Sequence, residues 1–179
     1  MEVIEYFGPK VTRVSLENNI VRLLHEICLE SDSRDNDKLV GLIKEENNIF
    51  KGLKNSNLDK KLGTYINRYL ETIESGMYKN VIESRDIDNY VDLSDAWYNK
   101  QVQHEFNPPH NHRHSADIVC VIFTKINISN TPDITYETSS KNYIHNGKLF
   151  FDYGYNEKNE FNTVTISVEP KEGDMYIFP

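Results

Sequence analysis

Ile118-Val119-Cys120-Val121-Ile122-Phe123 is an unbroken apolar run, short for a helix and rich in β-branched residues. Such a run reads as a strand covered on both faces. The residues just before it are as informative. Pro108-Pro109-His110-Asn111-His112-Arg113-His114 leads toward this strand, and prolines cannot donate to a sheet ladder, so the stretch belongs at a strand start or a sheet rim. In an extended chain, residues i and i+2 point to the same side, so His110 and His112 can converge on one metal ion. Neutral imidazole is the commonest metal-binding side chain, and a rim leaves coordination positions open to substrate.

Outward from this core, the pattern from about residue 89 onward is one of strands. Residues 96–102, 134–136, 147–153, 161–168 and 175–178 have strand composition. They are separated by turn residues at Asn130-Thr131-Pro132, Asn146-Gly147 and Glu172-Gly173-Asp174. The earlier part is different. Residues 3–7 and 11–14 read as short strands on either side of Gly8-Pro9, and Ser15 is positioned as a helix N-cap. Ile20, Leu23, Leu24, Ile27 and Cys28 then recur at helical spacing, and residues 30–37 read as a loop. A second helix starting at Ser56 or Asn57 carries Leu58, Leu62, Tyr65, Ile66, Tyr69, Leu70 and Ile73 on one face and stops at Ser75-Gly76. The fold class predicted is mainly β with N-terminal helices, a β-sandwich or jelly roll. A single domain over 1–179 is expected, with helical support over about 1–88 and a jelly-roll core over about 89–179.

Composition narrows the function classes. The chain has 179 residues, 38% hydrophobic and 27% charged, which fits one soluble globular domain. No run approaches the roughly 18–20 apolar residues of a membrane helix, and Met1-Glu2-Val3-Ile4-Glu5 has neither the basic start nor the apolar stretch of a secretory leader. With 20 Lys+Arg against 28 Asp+Glu the formal net charge is −8, which argues against nucleic-acid binding. Lys51, Lys54, Lys60 and Lys61 are interleaved with acids and read as a solvated face. Cys28 and Cys120 sit among apolar neighbours and read as buried reduced thiols, which suits a cytoplasmic location. Trp97 reads as a core residue, His25 as ordinary packing, His104 with Glu105 as a surface pair, and His145 as a turn residue.

Several blocks occur in a recognisable order: Trp97-Tyr98-Asn99, then Glu105-Phe106-Asn107-Pro108-Pro109-His110-Asn111-His112, then Val119-Cys120-Val121-Ile122-Phe123-Thr124-Lys125. Gly147-Lys148-Leu149-Phe150-Phe151 and Gly173-Asp174-Met175-Tyr176-Ile177-Phe178-Pro179 complete the series. This order resembles the 2-oxoglutarate/Fe(II)-dependent oxygenases encoded by T4-like phages, especially those of marine cyanobacteria, over nearly the whole chain. The resemblance implies a double-stranded β-helix with Fe(II) on its inner face. His110 would be the first ligand, and His112 stands where many relatives carry Asp. It also implies 2-oxoglutarate as cosubstrate, O2, and hydroxylation of an unknown substrate in the cytoplasm of an infected host cell. Superfamily analogy suggests a protein side chain such as prolyl as that substrate. Phe123 corresponds to a strand tyrosine that often supports the cosubstrate, and Asp117 stands five residues after His112. The resemblance places a distal histidine and a cosubstrate-pairing arginine after Phe178-Pro179, so the domain is expected to be incomplete as written.

Two other readings fit the same residues. One is a jelly-roll structural or binding protein of a phage that does not catalyse. The other is a cupin-like metal protein using His110, His112 and Asp117, although His104 and Thr124 occupy positions where that class usually has glycine.

Overall fold

The computed structural model describes residues 1–4, 9–34, 41–74, 91–102, 105–112, 116–127, 147–153 and 165–179. In chain order the elements are strands β1 (Glu2–Ile4) and β2 (Val11–Ser15), helix α1 (Asn18–Glu30), strand β3 (Glu45–Asn48), and helices α2 (Phe50–Asn55) and α3 (Leu58–Glu74). Five strands follow: β4 (Trp97–Lys100), β5 (Val119–Ile122), β6 (Leu149–Asp152), β7 (Thr165–Val168) and β8 (Asp174–Phe178). This is a mixed arrangement of helices and antiparallel strands. Among the described residues the strands form three sheets: β1-β2-β8-β5, β3-β4 and β6-β7.

The four-stranded sheet has two unlike faces. Its register aligns Thr12, Ile177 and Cys120 in one row and Val14, Met175 and Ile122 in another. These residues alternate with the opposite set, as strand geometry requires. Val14, Met175 and Ile177 join a buried cluster with Ile20, Leu24 and Cys28 of α1, Leu53 of α2 and Leu58, Leu62, Tyr69 and Ile73 of α3. Cys120 and Ile122 pack against that cluster from β5. The other face carries Tyr176 and Phe178. Phe151 of β6 meets Tyr176 at 6.0 Å and Phe178 edge-on at 5.1 Å between ring centroids, while Phe123 meets Tyr176 edge-on at 6.2 Å. The central sheet is thus covered by helices on one side and by aromatic rings, one of them from the β6-β7 pair, on the other.

One turn joins these parts. Gly173 has φ +89°, a left-handed conformation that favours glycine. Its carbonyl accepts from Leu16 N at 2.9 Å, and its N–H donates to Phe123 O at 2.7 Å. The exits of β2 and β5 are therefore pinned by the turn that starts β8. Asp174, nearly buried, accepts from Lys171 N at 2.8 Å and closes the same turn. Far from it, the buried Tyr69 hydroxyl donates to Lys10 O at 2.9 Å, and Lys10 Nζ donates to Thr72 O at 3.0 Å, fastening α3 to the start of β2.

The helical and strand expectations are met with several differences. Ser15 does not cap α1; it is the last residue of β2, paired with Asp174, and the cap position is Glu17. Asn19 Oδ1 instead accepts from Ile20 N at 2.8 Å. Strand β3 and helix α2 lie where no element was expected, because Glu45-Glu46-Asn47-Asn48 has no apolar alternation. Both thiols are free, and burial pushes Cys28 up to about 11 and Cys120 up to about 12. Lys54 reaches Asp92 at 2.8 Å and Asp59 at 3.3 Å, as an interleaved face would. The strand expected at 134–136, the turn at Asn130-Thr131-Pro132, Tyr78 and the stop at Ser75-Gly76 lie outside the described residues.

Because Ile177 is fully buried in the central strand, Ile177→Ala should cost about 2–5 kcal/mol. Leu29→Ala, at a residue 69% exposed, should stay within about 0.5 kcal/mol of the parent. Equilibrium urea unfolding of both variants checks the contrast.

Candidate functional site

Strand β4 sets up the site. Tyr98 and Ala96 turn toward the helical core, so the alternation of the strand directs Trp97 to the other face. The Tyr98 hydroxyl donates to Glu45 Oε1 at 2.8 Å and accepts from Asn47 Nδ2 at 3.0 Å, locking β4 onto β3. Just beyond β4, residues 101 and 102 are bonded to Glu105. Glu105 N donates to Val102 O at 3.0 Å, Val102 N donates to Glu105 Oε2 at 3.0 Å, and Gln101 Nε2 donates to Glu105 O at 2.6 Å. These bonds fix the chain shortly before the histidines, and His112 returns to meet Trp97 of β4.

His110 and His112 come together there. Their ring centroids are 4.9 Å apart with planes at 81°. His110 Nδ1 lies 2.8 Å from Pro108 O. A carbonyl oxygen can only accept, so Nδ1 carries the proton, and in the neutral ring the free lone pair is then on Nε2. The Trp97 indole packs on His112 with centroids 5.5 Å apart at 44°. Burial first, and the His110 ring second, hold His112 below the ordinary histidine value of 6.5. Two imidazoles side by side, one oriented by a carbonyl, form a donor pair of the kind a transition-metal ion takes. The ring contact joins the two histidines that the i and i+2 spacing singled out.

Trp97 is not the core residue expected. It is 39% exposed and lies against His112. The signal that could have found it is period-2 alternation with Tyr98. Phe106 and Leu42, both exposed, pair through an isolated bridge. No group of three or more His, Cys, Asp or Glu able to hold a metal occurs among the described residues, so Asp117 does not join His110 and His112. His104, His114 and His145 lie outside the described residues. Phe123 turns its ring edge-on to Tyr176.

A recess of about 420 Å³ opens elsewhere, lined by Asn18, Val21, Arg22, His25, Thr124 and Lys125 together with Glu172. His25 Nδ1 stands 3.5 Å from Thr124 Oγ1, so this histidine contacts a strand exit besides its own helix. Lys125 and Glu172 pair across the recess at 3.2 Å, and both are about half exposed. These charges satisfy one another in solvent, and neither His110 nor His112 lines the recess. The histidine pair is therefore the stronger candidate site.

Trp97 is the chain's single tryptophan, so its emission reports on His112. A protonated imidazole quenches a neighbouring indole. Fluorescence should therefore fall as pH drops, with a midpoint below 6.5, and His112→Gln should remove the transition. The folded state resists protonating His112, so its contribution to stability is fully present above 6.5 and is lost as pH falls below that value through the lower folded-state pKa. A midpoint at or above 6.5 would contradict the environment described. No family model, curated protein or solved structure matches the chain.

Proposed function

We propose that this protein is a non-haem Fe(II), 2-oxoglutarate-dependent oxygenase of the phage type, built on a double-stranded β-helix, with His110 and His112 as iron ligands. The observation that carries the reading is the histidine pair itself: two imidazoles 4.9 Å apart, one oriented by the Pro108 carbonyl. Support for the fold comes from the antiparallel β2-β8-β5 core with helices on one face and Phe151 on the other. Connections between strands distant in sequence, such as β5 with β8, are what such a jelly roll requires.

The chain's own residues have distinct parts in this reading. His110 would bind through Nε2, since Nδ1 is committed to Pro108 O. Burial disfavours the protonated form of His112, and so favours the lone pair a metal takes. The Trp97 ring shields one side of His112 from water and limits its rotation. Trp97 and Phe106 give the rim an apolar surface that a substrate can cover. Fe(II) with 2-oxoglutarate and O2 supplies the oxidising chemistry, in which the cosubstrate is decarboxylated to succinate and a substrate C–H bond is hydroxylated.

Anaerobic titration with Fe(II) and then 2-oxoglutarate should produce a weak visible charge-transfer band, and admission of O2 should release succinate. His110→Ala should lose the band with the fold retained by circular dichroism. A parent protein with neither band nor succinate would leave the non-catalytic jelly-roll reading in its place.

A further inference from the structure

The segment that carries His110 rests on a second segment from the other side of the chain. A Cβ placed on Gly41 would collide with the Phe106 carbonyl oxygen, and would lie 2.9 Å from Asn107 Cα and 3.0 Å from Pro108 Cδ. Backbone atoms and a proline ring cannot swing aside as a long side chain can. The next residue adds a hydrogen bond, Leu42 N donating to Phe106 O at 3.0 Å. Ile43, only 6% exposed, anchors this short segment in the interior. Residues 106–108 are thus held by a rigid backbone surface immediately before the carbonyl that receives His110 Nδ1–H at 2.8 Å.

We infer that Gly41 is a positioning residue for the histidine pair: its missing side chain lets residues 106–108 seat where the Pro108 carbonyl fixes His110 as the Nδ1–H tautomer. The consequence for metal binding rests on the proposed function; the tautomer itself does not. In free imidazole the Nε2–H form competes, so a carbonyl moved by a few tenths of an ångström weakens the bond that selects between them. A histidine whose Nε2 carries the proton cannot donate that nitrogen's lone pair to a metal. The effect therefore passes from a side chain that touches no ligand to the atom that would.

The test compares the parent protein with Gly41→Ala and with Gly63→Ala, a control position where an added Cβ meets nothing within 4 Å. Ring 15N chemical shifts at about pH 8, where imidazole is neutral, read the His110 tautomer directly. The parent should show protonated Nδ1 and unprotonated Nε2. Gly41→Ala should shift toward the other tautomer and bind Co(II) about 10–100-fold more weakly by calorimetry, the usual cost of disturbing a ligand's orienting partner. Gly63→Ala should match the parent in both. A parent protein with Nε2 protonated overturns the inference before any variant is made. So does a folded Gly41→Ala chain with unchanged shifts and unchanged Co(II) affinity. A Gly41→Ala chain that no longer folds overturns it too, because Gly41 would then serve the fold and not the histidine. If the tautomer shifts in Gly41→Ala while none of the three proteins binds Co(II), the positioning role stands and the iron reading fails.

Discussion

Strand β8 is the element on which the rest depends. It lies between β2 and β5, strands from opposite halves of the chain, and its backbone pairs with both. Met175 and Ile177, each with no exposed surface, fill the space under α1 and α3, while Tyr176 and Phe178 meet Phe151 on the reverse side. Without β8, β2 would lose its link to β5 and the helices would lose the sheet they cover. Burial of these side chains and pairing of their backbone therefore form one cooperative unit, which is why the Gly173 turn that introduces the strand is so tightly bonded to both neighbours.

The site depends on this core at one remove. β5 leaves the histidine segment and enters the sheet beside Phe178, with Ala116 N donating to His112 O at 3.1 Å where the chain turns. On its other side the segment is fixed to β4 through the Val102–Glu105 turn and to Gly41 and Leu42 through backbone contact. Three separate anchors hold a stretch that has no regular structure of its own. Such support would serve the metal role proposed for the pair, since ligands oriented before an ion arrives spare the affinity otherwise spent on ordering them.

How much of this was legible depends on the kind of signal. The unbroken apolar run at 118–123 and the periodic stripe on α3 are strong patterns, and β5 and α3 stand where those patterns put them. The histidine pair was legible for the same reason, since i and i+2 geometry is local. Strand β3 was not, because its sequence is acidic and amide-rich and its stability comes from pairing with β4 and from Tyr98, which is distant in sequence. The role of Trp97 was hidden behind the general preference of tryptophan for interiors. Nothing in the sequence marks Gly41, because its importance lies in what touches it, and lone glycines in polar stretches are common.

The pairing of Thr12 with Ile177 has a consequence for how the protein is made. During synthesis, β2 and α1 leave the ribosome long before β8 exists. Ile20, Leu24 and Cys28 of α1 and the apolar face of α3 must therefore wait without their final covering. Closing so long a loop before the sheet can form is slow, and the interval leaves apolar helix faces and an unpaired strand open to other chains. Dependence on chaperones and yield in a heterologous host are thus set by the same late strand that stabilises the finished fold.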